Sequence, residues 1–399
     1  MAETKKFKFH RIPPPNLNKF FDWRERGGKD EYVKFGEDNQ FPQSTIELYN
    51  KSSVHGAAVN AIVQGIIGKG LTANVESYID YANKSGESWN DIYSKVALDY
   101  KLHGSFALEV IWSNDRTKIQ VYHIDFSYLR AKEKDYRDKI PGYYISTQWD
   151  KIGRSRSVVN EEEATYLPVF NPLTKVEEPH QIYVYKSYRP GQGYYPLPDY
   201  IGAYRVIELD VEVDNFHTCN IKNGLAPSLS ITTFTNGSDD QLSDIEAQLN
   251  ANYGGSENAG SLMYIDVASK DEAPIITPIP QNGADGYYQN VNDMVTQKIL
   301  TSHRITSPMI LGIKEAGQLG GRAETIDAYL LFQNTVIIPY QQTLLACLED
   351  LLRINFPDIV LGVEQKKLYD DGEEEEEVIV DTDTTDAQEA DIQQPETLA

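Results

Sequence analysis

The stretch YYPLPDYIGAYRVIELDVEVDNFHTCNIKNGLAPSLSI, residues 194–231, limits the fold more than any other part of the chain. Pro196 and Pro198 stand at the start of a helix, where a missing backbone N–H costs least. Leu197, Ile201, Tyr204, Ile207 and Val211 recur at helical spacing as one apolar stripe, and Val206, Leu209, Val213 and Phe216 form a second. Two stripes require contacts on two sides. At ~1.5 Å per residue such a helix is roughly 35–40 Å long. Asn223-Gly224 supplies the stop, with Gly224 suited to a left-handed cap, and Pro227 blocks resumption.

The chain before this helix is mixed. Residues 1–30 read as an arm, kept extended by Pro13, Pro14 and Pro15 and carrying Phe20, Phe21 and Trp23 as apolar anchors. In GEDNQFPQSTIELYNKSSVHGAAVNAIVQGIIGKGL, Ser44 is the expected cap of a helix from Thr45, with Glu47 completing a capping box. A second helix runs from about Ser53 to Gly68 and Gly70. A third covers about 89–103 and stops at His103-Gly104. SFALEVIWS and KIQVYHID alternate as strands around a turn at Asn114-Asp115, and GYYISTQW, ATYLPVF and HQIYVYKSY are further β pieces. Residues 31–195 therefore read as one α+β unit.

After the long helix, residues 224–282 read as a compact β-α-β-β insert. PSLSITTF, SLMYIDV and PIITPIP are its strands, and Ser238 with Gln241 caps its short helix. A helix from about Gly286 to Ile305 follows. Pro308, Gly312, Gly317, Gly320 and Gly321 then turn TSPMILGIKEAGQLGGR into a long loop, and loops of that length are usually functional. The last helix spans about 323–355, with Pro339 expected to kink or split it.

Charge and composition narrow the function. Hydrophobic residues make up 40% of the 399, with 26 Tyr, enough for real cores. The formal charge is −23, of which the segment from Asp370 onward supplies −13 with no Lys or Arg, leaving −10 for the body. Duplex DNA is gripped through basic surface, so an acidic chain argues against tight DNA binding but not against a surface that DNA passes. The tail, with Glu373 to Glu377 unbroken, reads as disordered. Cys219 and Cys347 form no disulfide framework, which fits a reducing compartment and small apolar roles on buried helix faces. No apolar run follows Lys5, Lys6 and Lys8, so no signal peptide is expected, and none approaches the ~18 residues of a membrane helix.

Catalytic motifs are missing. His10, His55, His103, His123, His180, His217 and His303 are scattered, with no pair at zinc-helix spacing. GGSENAG around Ser256 fails the nucleophile-elbow pattern at Asn258. No P-loop is present, and Gly68 and Gly70 follow a helix rather than a strand. DTDTTDAQEAD lacks the central Gly of a calcium loop. Glu109 and Asp125 could meet as paired carboxylates on neighbouring strands, but every β-rich domain offers such pairs.

GEDNQFPQSTIELYNKSSVH resembles the N-terminal signature of the portal (connector) proteins of tailed double-stranded DNA phages. The helix of residues 196–223, ending in Asn-Gly before a short Pro-containing strand, resembles the first stem helix of that family. ILTSHRITSPMILGI resembles its second stem helix and the start of its tunnel loop. The resemblance covers about 40–356, and the order of elements is shared too. It implies an α+β portal architecture: an N-terminal arm (1–30), a mixed α/β wing (31–195), a first stem helix (196–223), a clip (224–282), a second stem helix (283–305), a tunnel loop (306–322), a long helix returning to the wing (323–356), and a minimal crown with the acidic tail (357–399).

The same resemblance implies a non-enzymatic ring protein, typically dodecameric, at one capsid vertex, through which the genome is packaged and ejected. Its implied partners are further copies of itself, the terminase large subunit, a head-tail adaptor, the major capsid or scaffold protein, and double-stranded DNA passing non-specifically. No cofactor, metal or membrane is implied, and the location is the virion, with host cytoplasm during assembly. In the tunnel loop Lys314, Gln318 and Arg322 are the implied DNA contacts, and Gly312, Gly317, Gly320 and Gly321 the hinges. Gly224 and Pro227 form the joint between stem and clip. A monomeric or dimeric binding module, whose acidic tail mimics DNA or recruits a partner, is the competing expectation.

Overall fold

The computed structural model describes residues 24–26, 32–155, 163–222, 230–233, 263–266, 284–305, 307–311 and 322–366. In chain order the strands and helices are β1 (Glu25–Arg26), β2 (Lys34–Phe35), α1 (Phe41–Lys51), α2 (Ser53–Ile67), β3 (Gly70–Ala73), α3 (Trp89–His103), β4 (Ser105–Trp112), β5 (Ile119–Ile124), β6 (Leu129–Ala131), β7 (Gly142–Ile145), α4 (Trp149–Ser155), β8 (Thr165–Pro168) and β9 (His180–Lys186). A 3-10 turn, Asp199–Ala203, leads into α5 (Tyr204–Lys222). Then come β10 (Ser230–Thr233), β11 (Met263–Asp266), α6 (Ala284–Ser302), α7 (Arg322–Phe332), α8 (Ile338–Asn355) and β12 (Leu361–Glu364).

The sheets are small. β5, β4 and β9 form one antiparallel sheet and β6, β7 and β8 another. β10 pairs with β11 in parallel, Ser230 opposite Met263. The β4 strand separates two cores by its period of two. Phe106, Leu108, Val110 and Trp112 enter a core shared with α2, α3 and α8. Ala107, from the other face, joins Phe126, Tyr200, Tyr204, Ile207, Val295 and Ile299 in a second core that holds α5 and α6.

Local sequence explains the helix ends. Ser52 Oγ accepts from His55 N at 3.1 Å and so caps α2. Ser88 and Asp91 form a reciprocal capping box at the start of α3. Gly104 ends α3 with φ 73°, and a Cβ there would lie 2.7 Å from the Leu197 carbonyl oxygen, so only glycine fits the crossing. The expectation for α1 fails. That helix begins at Phe41, with Pro42 preset in its first turn, and Ser44 is buried inside it, donating to Phe41 O at 2.7 Å.

Two further features lie near the C-terminus. Pro339 divides the last helix without ending it, because a π turn over Gln333–Ile337 precedes α8 and places the proline in its first turn. Beyond Pro357 the chain also returns to the body. β12 pairs antiparallel with β3, and Lys69 Nζ reaches Glu364 at 2.8 Å. Residues 367–399 lie outside the described residues.

Candidate functional site

The long helix is a 3-10 turn followed by 19 residues of α5. At ~2.0 and ~1.5 Å per residue the two parts together run roughly 38 Å. Its first stripe faces the body: Leu197, Tyr204 and Ile207 are buried. Its second is only partly covered: Val206 packs against the same core, while Leu209 is 41% exposed, as is Met294 of α6 at 42%. The two helices run antiparallel, because the end of α6 lies at the start of the 3-10 turn, where Arg304 meets Asp199.

The turn after α6 is unusual for its residue. Ile305 N donates to Leu300 O at 3.0 Å and Arg304 N to Thr301 O at 3.0 Å, the closing pattern of a Schellman end. Arg304 occupies the left-handed position at φ 57°, where glycine is the common choice. Its side chain then points back to the start of α5, with a nitrogen 3.3 Å from Asp199 Oδ2.

Asp199 is the centre of a polar junction. Lys101 of α3 donates to its Oδ1 at 2.8 Å, and Tyr340 of α8 donates to Oδ2. The Lys101 side chain has no exposure, while that of Asp199 keeps 32%. Lys101 Nζ also reaches Tyr340 Oη at 3.3 Å and lies 5.6 and 5.5 Å from the ring centres of Tyr200 and Tyr340. Burial would raise the Asp199 carboxyl, but the Lys101 charge and the two donated hydrogen bonds bring it down to about 2. Burial lowers Lys101, and Asp199 opposes that shift.

A histidine pair adjoins this junction. His55 Nδ1 and His303 Nε2 are 2.9 Å apart, and Tyr200 stacks edge-on with His55 at 4.7 Å between ring centres. Burial first, then the Lys101 charge, lowers both rings, His55 to about 3, so one neutral ring donates to the other. An open cleft of about 260 Å3 borders the same groups, lined by Tyr100, Arg189, Asp199, Arg304 and Tyr340 among others. Every Asp199 oxygen is occupied and Lys101 is sealed, so the junction offers neither a free base nor a nucleophile. Its chemistry is that of a latch joining α3, α5, α6 and α8.

Further along α5 the helix is acidic. Glu208 Oε1 is buried without a hydrogen-bond partner among the described residues. Burial raises this carboxyl to about 7, Arg205 opposing and Glu212 assisting. Asp210 accepts from Ser52 Oγ at 2.7 Å.

The residues singled out from the sequence are distributed unevenly. Gly224, Pro227, Gly312, Lys314, Gly317, Gln318, Gly320 and Gly321 lie outside the described residues, and so does the Arg322 side chain, although its backbone opens α7. Ser256 is outside likewise, and so is the Cys219 side chain, although its backbone lies in α5, whereas Cys347 is buried on α8. The expected carboxylate pair is not formed. Glu109 stands opposite Tyr122 and lies 3.3 Å from His180, while Asp125 sits past the end of β5 and accepts from Ser127 N. The junction residues Lys101, Asp199, Arg304 and Tyr340 were not anticipated. One signal was available: Asp199 opens the long helix and Arg304 follows the next, each at the end whose dipole it complements.

No known protein family and no curated protein matches the chain by sequence. Solved structures do match. A chain in the virion of a native gene transfer agent particle superposes with a TM-score of 0.51 at 15% identity, over 81% of this chain and 84% of that one. A chain in the neck of the native particle, computed with C12 symmetry, also gives 0.51 at 15% identity, over 86% of each. An HK97-family phage portal protein from Corynebacterium diphtheriae aligns at 10% identity over 80% of this chain and 93% of that one, with a TM-score of 0.42. Likeness at such identity establishes a shared fold. The α+β architecture implied by the resemblance to portals is the one observed. No helix among the described residues is long and apolar enough to cross a membrane.

Proposed function

We propose that this chain is a portal-type ring subunit of a virion, a non-enzymatic protein that lines the channel for genome packaging and ejection. The observation that carries this is the likeness, over 86% of both chains, to a neck subunit computed with C12 symmetry. The exposed Leu209 of α5 and Met294 of α6 support it, since a neighbouring copy in a ring would cover them. In this assignment residues 31–195 are the wing and 1–30 its arm. Residues 196–223 and 283–305 are the stem helices, 224–282 the clip, and 306–322 the tunnel loop. Residues 323–356 return to the wing, and 357–399 carry the tail.

The clip would face the terminase large subunit and later a head-tail adaptor, while the wing would face capsid or scaffold protein. An acidic body suits a channel that must not hold DNA. A ring repeats each subunit's charge, and repulsion reaches ~8–10 Å at cellular salt, comparable with the gap around a threaded duplex. Lys314, Gln318 and Arg322 would supply the few contacts that track the phosphates, with Gly312, Gly317, Gly320 and Gly321 allowing the loop to move. The test is the mass and image of purified full-length protein. A ring of about the twelve-fold order of the neck match, with a central hole, is expected. A monomer that persists at high concentration and physiological salt overturns the proposal.

A further inference from the structure

Asp99 and His103 stand one turn apart on α3, and the end of β5 brings Asp125 beside them. The donor atoms of the three side chains lie within 4.8 Å of one another. Asp99 is 7% and His103 4% exposed, while Asp125 is half-buried and leaves the cluster open on one side.

Hydrogen bonds fix the state of His103. The Thr45 hydroxyl donates to Pro42 O at 2.7 Å, so its oxygen can only accept from His103 Nδ1, 3.1 Å away. The ring proton is therefore on Nδ1, and Nε2 carries a lone pair. Nε2 is buried and has no partner among the described residues. Leaving such an atom unpaired costs free energy, so its retention beside two carboxylates calls for an electrophile.

The carboxylates are held in place from outside. Asp99 Oδ2 accepts from His123 Nε2 at 2.9 Å and from Phe126 N at 3.2 Å. Asp125 Oδ1 accepts from Ser127 N at 2.8 Å. The other oxygen of each has no hydrogen bond from a described residue. Three lone-pair donors, each oriented by a neighbour on its far side, is how the ligands of bound metals are arranged. One imidazole and two carboxylates favour zinc or a similar transition ion over calcium or magnesium, which take all-oxygen sets.

We propose that Asp99, His103 and Asp125 form a structural site for one divalent transition-metal ion, which staples the end of α3 to the loop leaving β5. Ligand atoms of a tetrahedral zinc site stand ~3.4 Å apart at bond lengths of ~2.1 Å, so the side chains draw in by roughly 1 Å on binding. A water completes the coordination from the open side. Arg130 is the nearby opposing charge, tied to Asn39 and to the Ser127 and Leu129 carbonyls.

This site stands or falls independently of the ring assignment. Full-length protein is stripped with a chelator and titrated with Zn²⁺ alone, with Co²⁺ as the spectroscopic probe. Stoichiometric binding, a visible Co²⁺ absorption band and a melting rise of about 3 °C or more over the chelated protein are expected. His103→Gln and Asp125→Asn should each weaken binding at least ~10-fold. Asp125→Asn keeps the acceptor for Ser127 N, so its circular dichroism should match the parent and isolate the loss of a ligand from a loss of fold. Failure to bind, affinity unchanged from the parent in both variants, or a preference for Mg²⁺ over Zn²⁺ overturns the proposal.

Discussion

Replacing Asp199 with Asn tests how the polar junction is held. Lys101 Nζ lies 2.8 Å from Asp199 Oδ1 with its side chain wholly buried, a gross attraction of about 6 kcal/mol at an effective dielectric of ~20. Desolvation offsets most of that gain. Removing the carboxylate charge leaves a sealed ammonium facing only neutral groups, an amide, the Tyr340 hydroxyl and two rings, so Asp199→Asn should destabilise by about 3–4 kcal/mol. Lys101→Met removes the buried charge itself, while Asp199 keeps Tyr340, Arg304 and its solvent contact, so it should cost less than about 2 kcal/mol. The double variant should be more stable than Asp199→Asn alone, with a coupling of at least ~1.5 kcal/mol. Denaturant unfolding at pH 7 and fixed protein concentration measures all three. The acid limb gives a second reading. The Asp199 carboxyl is depressed from 3.8 to about 2, so its contribution is full above pH 3.8 and disappears as pH falls through 2. That loss should be absent from Asp199→Asn. If Asp199→Asn is no more destabilising than Lys101→Met, the junction is not held by a buried pair.

Glu208 behaves oppositely, because its carboxyl is raised from 4.5 to about 7. Its burden on folding grows between pH 4.5 and 7, and Glu208→Gln should stabilise by about 1–2 kcal/mol at pH 8, after allowance for partial exposure, and by almost nothing at pH 4.5. Gly104→Ala should cost about 2–3 kcal/mol in thermal melts, through its positive φ and the Leu197 carbonyl, whereas Gly86→Ala, at φ 85° in open space, should cost about 1 kcal/mol. Neutralising Lys314 and Arg322 together should lower packaging efficiency or DNA retention in an infectivity assay, and unchanged values remove them from the channel. Gly224→Val should impair ring assembly or motor binding, and normal behaviour in both would show that the joint lies elsewhere.

What could be read from the sequence follows the range of the forces involved. Local signals served well: Gly104 and the apolar periodicity placed α3 at 89–103, the span observed. They failed where a second residue competed for the same role. Ser44 has the chemistry of a cap, but Pro42 presets the backbone two residues earlier, and the Ser44 hydroxyl is used instead by the Tyr204 side chain at 2.6 Å. Non-local pairing left no trace at all. The short strand Leu361–Glu364 has no alternating pattern long enough to detect, and its register is set by β3, nearly three hundred residues away in the chain. The junction was nearly as hard to read: Lys101, Asp199, Arg304 and Tyr340 come from four elements, and the placing of Asp199 and Arg304 at helix ends does not by itself pair them.

That dispersion bears on how force passes through the molecule. Asp199 stands in the first turn leading to α5 and Arg304 just beyond α6, so each charge complements the dipole of its own helix end and also neutralises the other. Lys101 and Tyr340 then tie the same carboxylate to α3 and α8. The antiparallel pair is thus fixed to the body at one end by a polar latch and along its inner face by Tyr204, Ile207, Val295 and Ile299. Toward the other end the burial thins, and past Asp210 no residue of α5 is fully buried up to Thr218. A load applied beyond Lys222 would therefore lever the helices about the Asp199 junction. Weakening that latch should loosen α5 and α6 from the body before it unfolds either core, because the apolar contacts of α3 and α8 do not depend on it.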